Sequence, residues 1–153
     1  MLDVAAAGIG VVTAMAAPDA LDALVVPGRA QAYRVASDEA MLLCAPEVAA
    51  EVEREVTDRL RVGDDDAVVL DVTDGWTALT LSGDEARAAF AYLSCLELPR
   101  EGFVQGEVVR VPAKIVVEVD RIWLLTPSMW EAHLRDRVRR RLAHLRPEEA
   151  SGG

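Results

Sequence analysis

The spacing of hydrophobic residues alternates between a period of two and a period near four, and this change occurs three times along the chain. Short stretches with period two lie in pairs around turn-prone residues and predict strands, over 29–36, 39–44, 67–72, 76–81, 113–119 and 122–126. After each pair, apolar residues recur at helical spacing, over 48–60, 86–93 and 130–145. The pattern therefore predicts three successive strand-strand-helix units.

Two of these units share a short sequence pattern at the point where the strand leads into the helix. Leu79-Thr80-x-Ser82-x-x-Glu85-Ala86 corresponds to Leu125-Thr126-x-Ser128-x-x-Glu131-Ala132 at one constant offset. A serine followed three residues later by an acid is a capping box, which we expect at the start of each helix. The match arises either from internal duplication or from the general recurrence of capping boxes. Both explanations predict an α+β fold of the ferredoxin-like type, with an antiparallel sheet and helices on one side.

The length of 153 residues is enough for one domain that buries most of its apolar surface. We expect a single α+β domain over residues 1–146 and a flexible C-terminal tail over 147–153. The alanine-rich run from Val4 to Pro18 imitates a signal peptide, but Asp3 stands in place of a cationic leader and the first basic residue is Arg29. The run is therefore interpreted as packed structure in a cytoplasmic protein.

The charge balance argues against two classes of partner. A formal net charge of −10 disfavours a nucleic-acid backbone or an anionic membrane surface as the main partner. The charge is uneven, because residues 38–74 hold 12 acidic and 3 basic residues whereas residues 110–153 hold 6 acidic and 9 basic residues. The acidic first helix could pair with the basic last helix, or each could contact a different partner protein. Solvated helix faces are the plainer explanation.

Residues able to support catalysis or metal binding are sparse. The chain has no Gly-rich phosphate loop with its lysine, and its one lysine is Lys114. His133 and His144 lie three helical turns apart, too far to chelate one ion. Cys44 and Cys95 have no nearby basic residue in sequence and are expected in the core. We therefore predict no catalytic residue and no metal ligand.

Two small groups of residues remain as candidate contacts. Asp74-Gly75-Trp76 fits a hairpin turn, and Asp74 and Trp76 are weak candidates for contact with a cofactor. Met129 and Trp130 open the last helix and either pack in the core or form an exposed anchor for another subunit. Together with two arginines of the basic helix, they make up the predicted interface: Met129, Trp130, Arg135 and Arg139.

The stretch from Asp71 to Arg87, DVTDGWTALTLSGDEAR, resembles the gamma subunit of heterotetrameric sarcosine oxidase. That family is in turn similar to the folate-binding aminomethyltransferases, the T-protein of glycine cleavage. The order of features continues to fit downstream, with Cys95-Leu96-Glu97-Leu98, Phe103, Gly106, a strand over 114–119, and Trp123 to Pro127-Ser128 before the closing helix. The resemblance covers about half of the chain. Where the family often has a threonine shortly after the glycine matched by Gly106, this chain has Arg110 among valines.

The resemblance implies a non-catalytic small subunit in an assembly that oxidatively demethylates an N-methyl amino acid such as sarcosine. In such assemblies the larger flavoprotein subunits hold FAD, FMN, NAD and tetrahydrofolate, so no cofactor is expected on this chain alone. The alternative is a stand-alone folate-binding or C1-transfer protein with the aminomethyltransferase fold. The size favours the first reading, because a short single domain has little room to enclose a pterin-glutamate ligand.

Overall fold

The computed structural model of the protein describes residues 1–145, which form two compact units. Unit 1 consists of residues 1–7 together with the described chain from Thr77 onward, and unit 2 consists of Gly8–Trp76. The expected flexible tail over 147–153 lies outside the described residues. A single domain over 1–146 stays a prediction.

Unit 2 contains a four-stranded sheet and two helices. Its elements in chain order are β2 (Gly10–Met15), α1 (Pro18–Asp22), β3 (Gln31–Ala36), β4 (Glu39–Cys44), α2 (Ala49–Arg61) and β5 (Val68–Asp71). The strand order is β3-β4-β2-β5, and all three neighbouring pairs are antiparallel. This β-α-β-β-α-β succession with its central first and third strands is the ferredoxin-like arrangement.

Helix α2 buries the apolar stripe that the sequence predicted. Its side chains Val52, Val56 and Leu60 are at most 2% exposed and belong to one hydrophobic cluster with Val12 and Leu42 of the sheet. Successive positions four residues apart fall on one helix face, so the remaining acidic and basic residues stay in solvent. The predicted helix over 48–60 is thus confirmed within one residue at each end.

Unit 1 contains a five-stranded sheet with the order β1-β6-β9-β8-β7. Its strands are β1 (Asp3–Ala7), β6 (Trp76–Ser82), β7 (Gly102–Val108), β8 (Val111–Val117) and β9 (Arg121–Pro127), and its helices are α3 (Ala86–Ala91) and α4 (Glu131–Arg141). The pairs β1–β6, β7–β8 and β8–β9 are antiparallel. Phe90 of α3 and Leu134 and Val138 of α4 pack with Leu124 of β9 in one buried cluster.

The second predicted strand pair is wrong as a pair, although both strands exist. β5 pairs with β2 and β6 pairs with β1, so the two strands belong to different sheets. Their partners come from the alanine-rich N-terminal run, which was not predicted as strands because its small side chains give no alternating pattern. The segment Thr73–Gly75 is a turn of 3-10 helix rather than a hairpin turn.

The capping box predicted at Ser82 is also wrong, and the one at Ser128 stays a prediction. The residues that precede the first turns of α3 and α4 are Glu85 and Trp130, and neither makes a side-chain cap hydrogen bond. Ser82 ends β6, and Gly83 with φ 96° then turns the chain before the helix begins.

No helix among residues 1–145 has the length and apolar character needed to cross a membrane.

Two threonines at matching positions of the repeated sequence pattern have the same structural role. Thr80 and Thr126 are buried in β6 and β9, which are neighbouring strands. The Thr80 hydroxyl donates to the Ala5 carbonyl oxygen at 3.4 Å, and that of Thr126 donates to the Pro112 carbonyl oxygen at 2.8 Å. Buried hydroxyls need such partners, because an unsatisfied one costs about 1–3 kcal/mol.

Candidate subunit interface

Helix α4 separates its basic residues into two rows, one on each side of its buried stripe. Leu134 and Val138 face the core of unit 1, and Leu142 follows in the same direction at the C-terminal end. Arg135 and Arg139 lie on one side of this stripe, where they border an apolar groove of about 280 Å³. Two of the four predicted interface residues are thus brought together by the fold.

The groove lies between the edge strand of the sheet and α4, and we call it the β1–α4 groove. It is lined by Val4, Ala6, Leu79, Arg135, Val138, Arg139 and Leu142. In the antiparallel register Ala6 stands opposite Leu79, so a small side chain occupies the edge where a larger one would fill the space. The result is an apolar depression with two guanidinium groups at its border.

The two bordering arginines are held by weak ion pairs. Arg135 lies 2.8 Å from Glu131, and Arg139 lies 3.2 Å from Asp136. The arginine side chains are 53% and 64% exposed, respectively. Exposed pairs of this kind contribute about 0–1 kcal/mol, so a carboxylate of another protein can replace either acid at little cost. The groove is therefore suited to an apolar segment flanked by acidic residues.

Met129 and Trp130 lie in the 3-10 turn Ser128–Trp130 and do not line the groove. Met129 is 81% exposed, as an anchor for another subunit would be. Trp130 is partly buried against the unit 1 core, and its ring lies 5.7 Å from that of His133. Within this pair, the methionine is thus exposed and the tryptophan is partly buried against the core.

Asp74 and Trp76 lie at the 3-10 turn before β6, where Asp74 is exposed and Trp76 is half-buried. The neighbouring Asp71 orders this turn, because its Oδ1 accepts the Thr73 N–H at 3.1 Å and the Thr73 hydroxyl at 2.6 Å. The Thr73 Oγ1 in turn accepts the Val11 N–H at 3.1 Å. Contact of Asp74 and Trp76 with a cofactor stays a prediction.

The two cysteines differ in their surroundings. Cys44 is buried, and burial together with the nearby Asp71 and Glu47 carboxylates raises the pKa of its thiol, against a smaller opposing effect of Arg29. Cys95 is exposed, so its expected place in the core is wrong. Helix α3 ends at Ala91, and Cys95 lies in the segment that follows, between the buried Leu93 and Leu96, which packs against the core. Within residues 1–145, no group of three or more His, Cys, Asp or Glu is placed to hold a metal ion.

The acidic helix α2 pairs with bases of its own unit. Arg29 lies 3.3 Å from Glu51 and 2.8 Å from Glu55, and Arg59 lies 3.6 Å from Glu55. In the part of the chain that the structure describes, the ion pairs of α2 and of α4 each stay within one unit. The suggested pairing of the acidic helix with the basic helix stays a prediction.

The sequence-based interpretation missed the apolar half of the groove. Val4 and Ala6 come from a strand that was not predicted, and the register of β1 on β6 is what brings them to Leu79. The signal that could have found them is the absence of charge between Val4 and Pro18, which is unusual for an exposed segment.

Comparison with solved structures shows which proteins share this fold. A chain of the heterotetrameric sarcosine oxidase from Corynebacterium sp. U-96, in complex with pyrrole 2-carboxylate, superposes with a TM-score of 0.75 and 14% identity over 98% of this chain and 88% of its own. Aminomethyltransferase T of the glycine cleavage system from Bartonella henselae superposes with a TM-score of 0.67 and 16% identity over 90% of this chain. This chain spans 45% of that protein.

An aspartate kinase from Synechocystis is a more distant likeness, with a TM-score of 0.54 and 12% identity over 98% of this chain and 28% of its own. No protein-family model matches the sequence, and no curated protein sequence matches it. The structural likenesses confirm the α+β fold that the resemblance implied, shared with sarcosine oxidase and aminomethyltransferase.

Proposed function

We propose that this chain is a non-catalytic small subunit, of the gamma type, in a heteromeric sarcosine oxidase-like complex. The observation that carries the proposal is the mutual coverage of the superposition, 98% of this chain on 88% of a chain of a heterotetramer. In that assembly the fold by itself makes up nearly a whole chain. In aminomethyltransferase T the same fold makes up less than half of the protein.

The surface of unit 1 supports a role in assembly. The β1–α4 groove offers apolar area, and the exposed Met129 adds a flexible apolar side chain near the start of the same helix. Methionine adapts its shape to a partner surface more readily than branched side chains do. Arg135 and Arg139 would then pair with acidic residues of the larger subunit at the border of the contact.

The chemistry of the complex belongs, in this proposal, to the larger flavoprotein subunits. They would hold FAD, FMN and NAD for oxidation of an N-methyl amino acid, and tetrahydrofolate to accept the released carbon. This chain would contribute a contact surface. The raised pKa of the buried Cys44 thiol keeps it protonated near neutral pH, so it is not a nucleophile there.

The test is co-expression of the tagged full chain with candidate flavoprotein subunits, followed by size-exclusion chromatography and native mass spectrometry. We expect a complex of fixed stoichiometry that carries flavin absorbance and demethylates sarcosine, while the isolated chain does neither. Turnover of sarcosine by the isolated chain would overturn the proposal. Stoichiometric binding of tetrahydrofolate by the isolated chain would favour a stand-alone folate-binding protein instead.

A further inference from the structure

A second depression in unit 1 lies on the other side of α4, between the C-terminal half of that helix and the turn that joins β7 to β8. It has a volume of about 390 Å³, within the range of small-molecule sites. Its lining residues are Val109, Arg110, Arg137, Arg140 and Arg141, and we call it the arginine pocket. Among residues 1–145, four of the five lining residues are arginines, in a protein whose formal net charge is −10.

The fold fixes the positions of these arginines. Arg137, Arg140 and Arg141 follow the i, i+3, i+4 spacing that places side chains on one helix face. Arg110 lies in the two-residue turn between β7 and β8, and the residues on either side of this turn, Val108 and Val111, are paired. That turn is anchored on both sides, because the Val109 N–H donates to the Leu93 carbonyl oxygen at 2.7 Å and Arg137 Nη1 donates to the Val109 carbonyl oxygen at 2.9 Å.

The arrangement is unfavourable for the isolated chain in two ways. Val109 and Arg110 have φ values of 46° and 64°, a region that glycine or asparagine enters far more easily and that a β-branched residue rarely adopts. The cations four residues apart at Arg137 and Arg141 repel each other. Backbone strain of this kind concentrates at functional sites, where it is part of how a site is built.

Few acidic side chains neutralise the pocket. Asp136 forms ion pairs with both Arg139 and Arg140, and its Oδ2 lies 3.1 Å from Arg140 Nε. Within residues 1–145, no ion pair engages Arg110, Arg137 or Arg141. Arginines near a helix C-terminus interact favourably with the helix dipole, but this effect does not account for Arg110, which stands on a separate turn.

We propose that the arginine pocket binds a small organic anion with at least two oxyanion groups, either phosphate or carboxylate. Guanidinium groups bind both by paired, charge-assisted hydrogen bonds. Four guanidinium groups around one depression, with Asp136 as the one carboxylate paired beside them within residues 1–145, leave charge for more than one such group. The strained turn holds the Arg110 side chain over the same space as the helix arginines. This site is separate from the β1–α4 groove and does not rest on the proposed function.

The test is calorimetric titration of the full chain at low salt with two probes, inorganic pyrophosphate and tricarballylate. We expect one site per chain, weakened by added salt, and a loss of about tenfold in affinity for each of Arg110→Gln and Arg141→Gln. Neither side chain makes an ion pair within residues 1–145, so both variants should keep the fold, which circular dichroism checks. The matched control is Arg100→Gln, which removes an exposed charge of the same unit outside the pocket.

Each outcome decides the proposal. Binding of both probes supports an oxyanion site, and binding of one alone supports it and identifies phosphate or carboxylate as the ligand class. Absence of binding by the wild-type chain overturns the proposal. Equal weakening by Arg100→Gln also overturns it, because the attraction would then come from unspecific charge.

Discussion

The Arg137 guanidinium donates a 2.9 Å hydrogen bond to the carbonyl oxygen of Val109, and this contact joins helix α4 to the turn between β7 and β8. The turn has two central residues with positive φ, as a type I′ hairpin turn requires. Asn-Gly is the sequence that such a turn favours, and this chain has Val-Arg instead. The hydrogen bond from Arg137 and the packing of Val109 against the core compensate for the strain.

Replacement of Arg110 by glycine should stabilise the protein relative to replacement by alanine. Both changes remove the same charge, but only glycine adopts φ 64° without steric cost. Glycine also has the greater entropy in the unfolded chain, which offsets part of this gain. We expect the free energy of unfolding of Arg110→Gly to exceed that of Arg110→Ala by about 0.5–1 kcal/mol. Urea denaturation measures the difference. A less stable glycine variant would show that the turn is not strained.

Replacement of Gly106 by alanine should destabilise unit 1. A Cβ at this position of β7 would lie 2.8 and 2.9 Å from the two terminal carbons of Leu96, which packs against the core. We expect a loss of about 1–2 kcal/mol, since overpacking forces neighbouring side chains to shift. Gly75→Ala is the matched control, because nothing lies within 4 Å of the added carbon, and it should change stability by less than about 0.5 kcal/mol.

A double-mutant cycle locates the source of this effect. In a Leu96→Ala background the added Cβ of Gly106→Ala meets no terminal carbons, so the further loss of stability should disappear. An unchanged loss in that background would assign the cost to the backbone of β7 rather than to Leu96.

The helices were predictable from the sequence because their apolar residues repeat over several turns. Val52, Val56 and Leu60 give such a signal in α2, and Leu134 and Val138 give it in α4. Strand partners were not predictable in the same way. A strand made mostly of alanine, such as β1, has no alternating pattern, and pairing depends on contacts far apart in sequence.

The candidate sites were likewise predictable from the sequence only in part. Exposure of Arg135 follows from its place on an amphipathic helix, which the sequence indicates. Met129 lies in the 3-10 turn before that helix, and the sequence left its exposure open. The β1–α4 groove depends on the register of Ala6 opposite Leu79, and the arginine pocket depends on a turn beside the helix. Neither juxtaposition is encoded in local spacing, so neither could be derived before the strand order was known.

The stability of the protein should fall above about pH 9 because of Cys44. The pKa of this thiol is raised above its ordinary value of 9.0, so above that value the unfolded chain releases a proton that the folded chain retains. Below 9.0 the thiol is protonated in both states and its contribution is fully present. Above about pH 9, the urea midpoint of the wild type should therefore fall more steeply with pH than that of Cys44→Ala.

Cys95→Ala is the control for this measurement. Cys95 is exposed, so its removal should leave the steep dependence of the midpoint on pH in place. The same distinction should appear in alkylation of the native protein near neutral pH, with Cys95 modified and Cys44 protected until the chain unfolds. Rapid modification of Cys44 in the native state would contradict its burial.

Substitution of Met129 should weaken assembly, whereas substitution of Trp130 should weaken folding. Met129→Glu places a charge on a side chain that is 81% exposed, so the free energy of unfolding should change by less than about 0.5 kcal/mol. If this surface contacts a larger subunit, the same change should weaken the complex at least about tenfold, because a buried unpaired charge is costly. Trp130→Ala should instead lower stability by about 1–3 kcal/mol, since its ring packs against the unit 1 core.

Val119→Glu provides the matched control, because Val119 is 86% exposed and lies between β8 and β9. It introduces the same charge on a similarly exposed apolar side chain, and the affinity of the complex should remain within about twofold of the wild type. Native mass spectrometry gives the affinities, and urea denaturation of each isolated chain gives the stabilities. Equal weakening by Met129→Glu and Val119→Glu would remove Met129 from the interface, since the effect would then follow net charge rather than position.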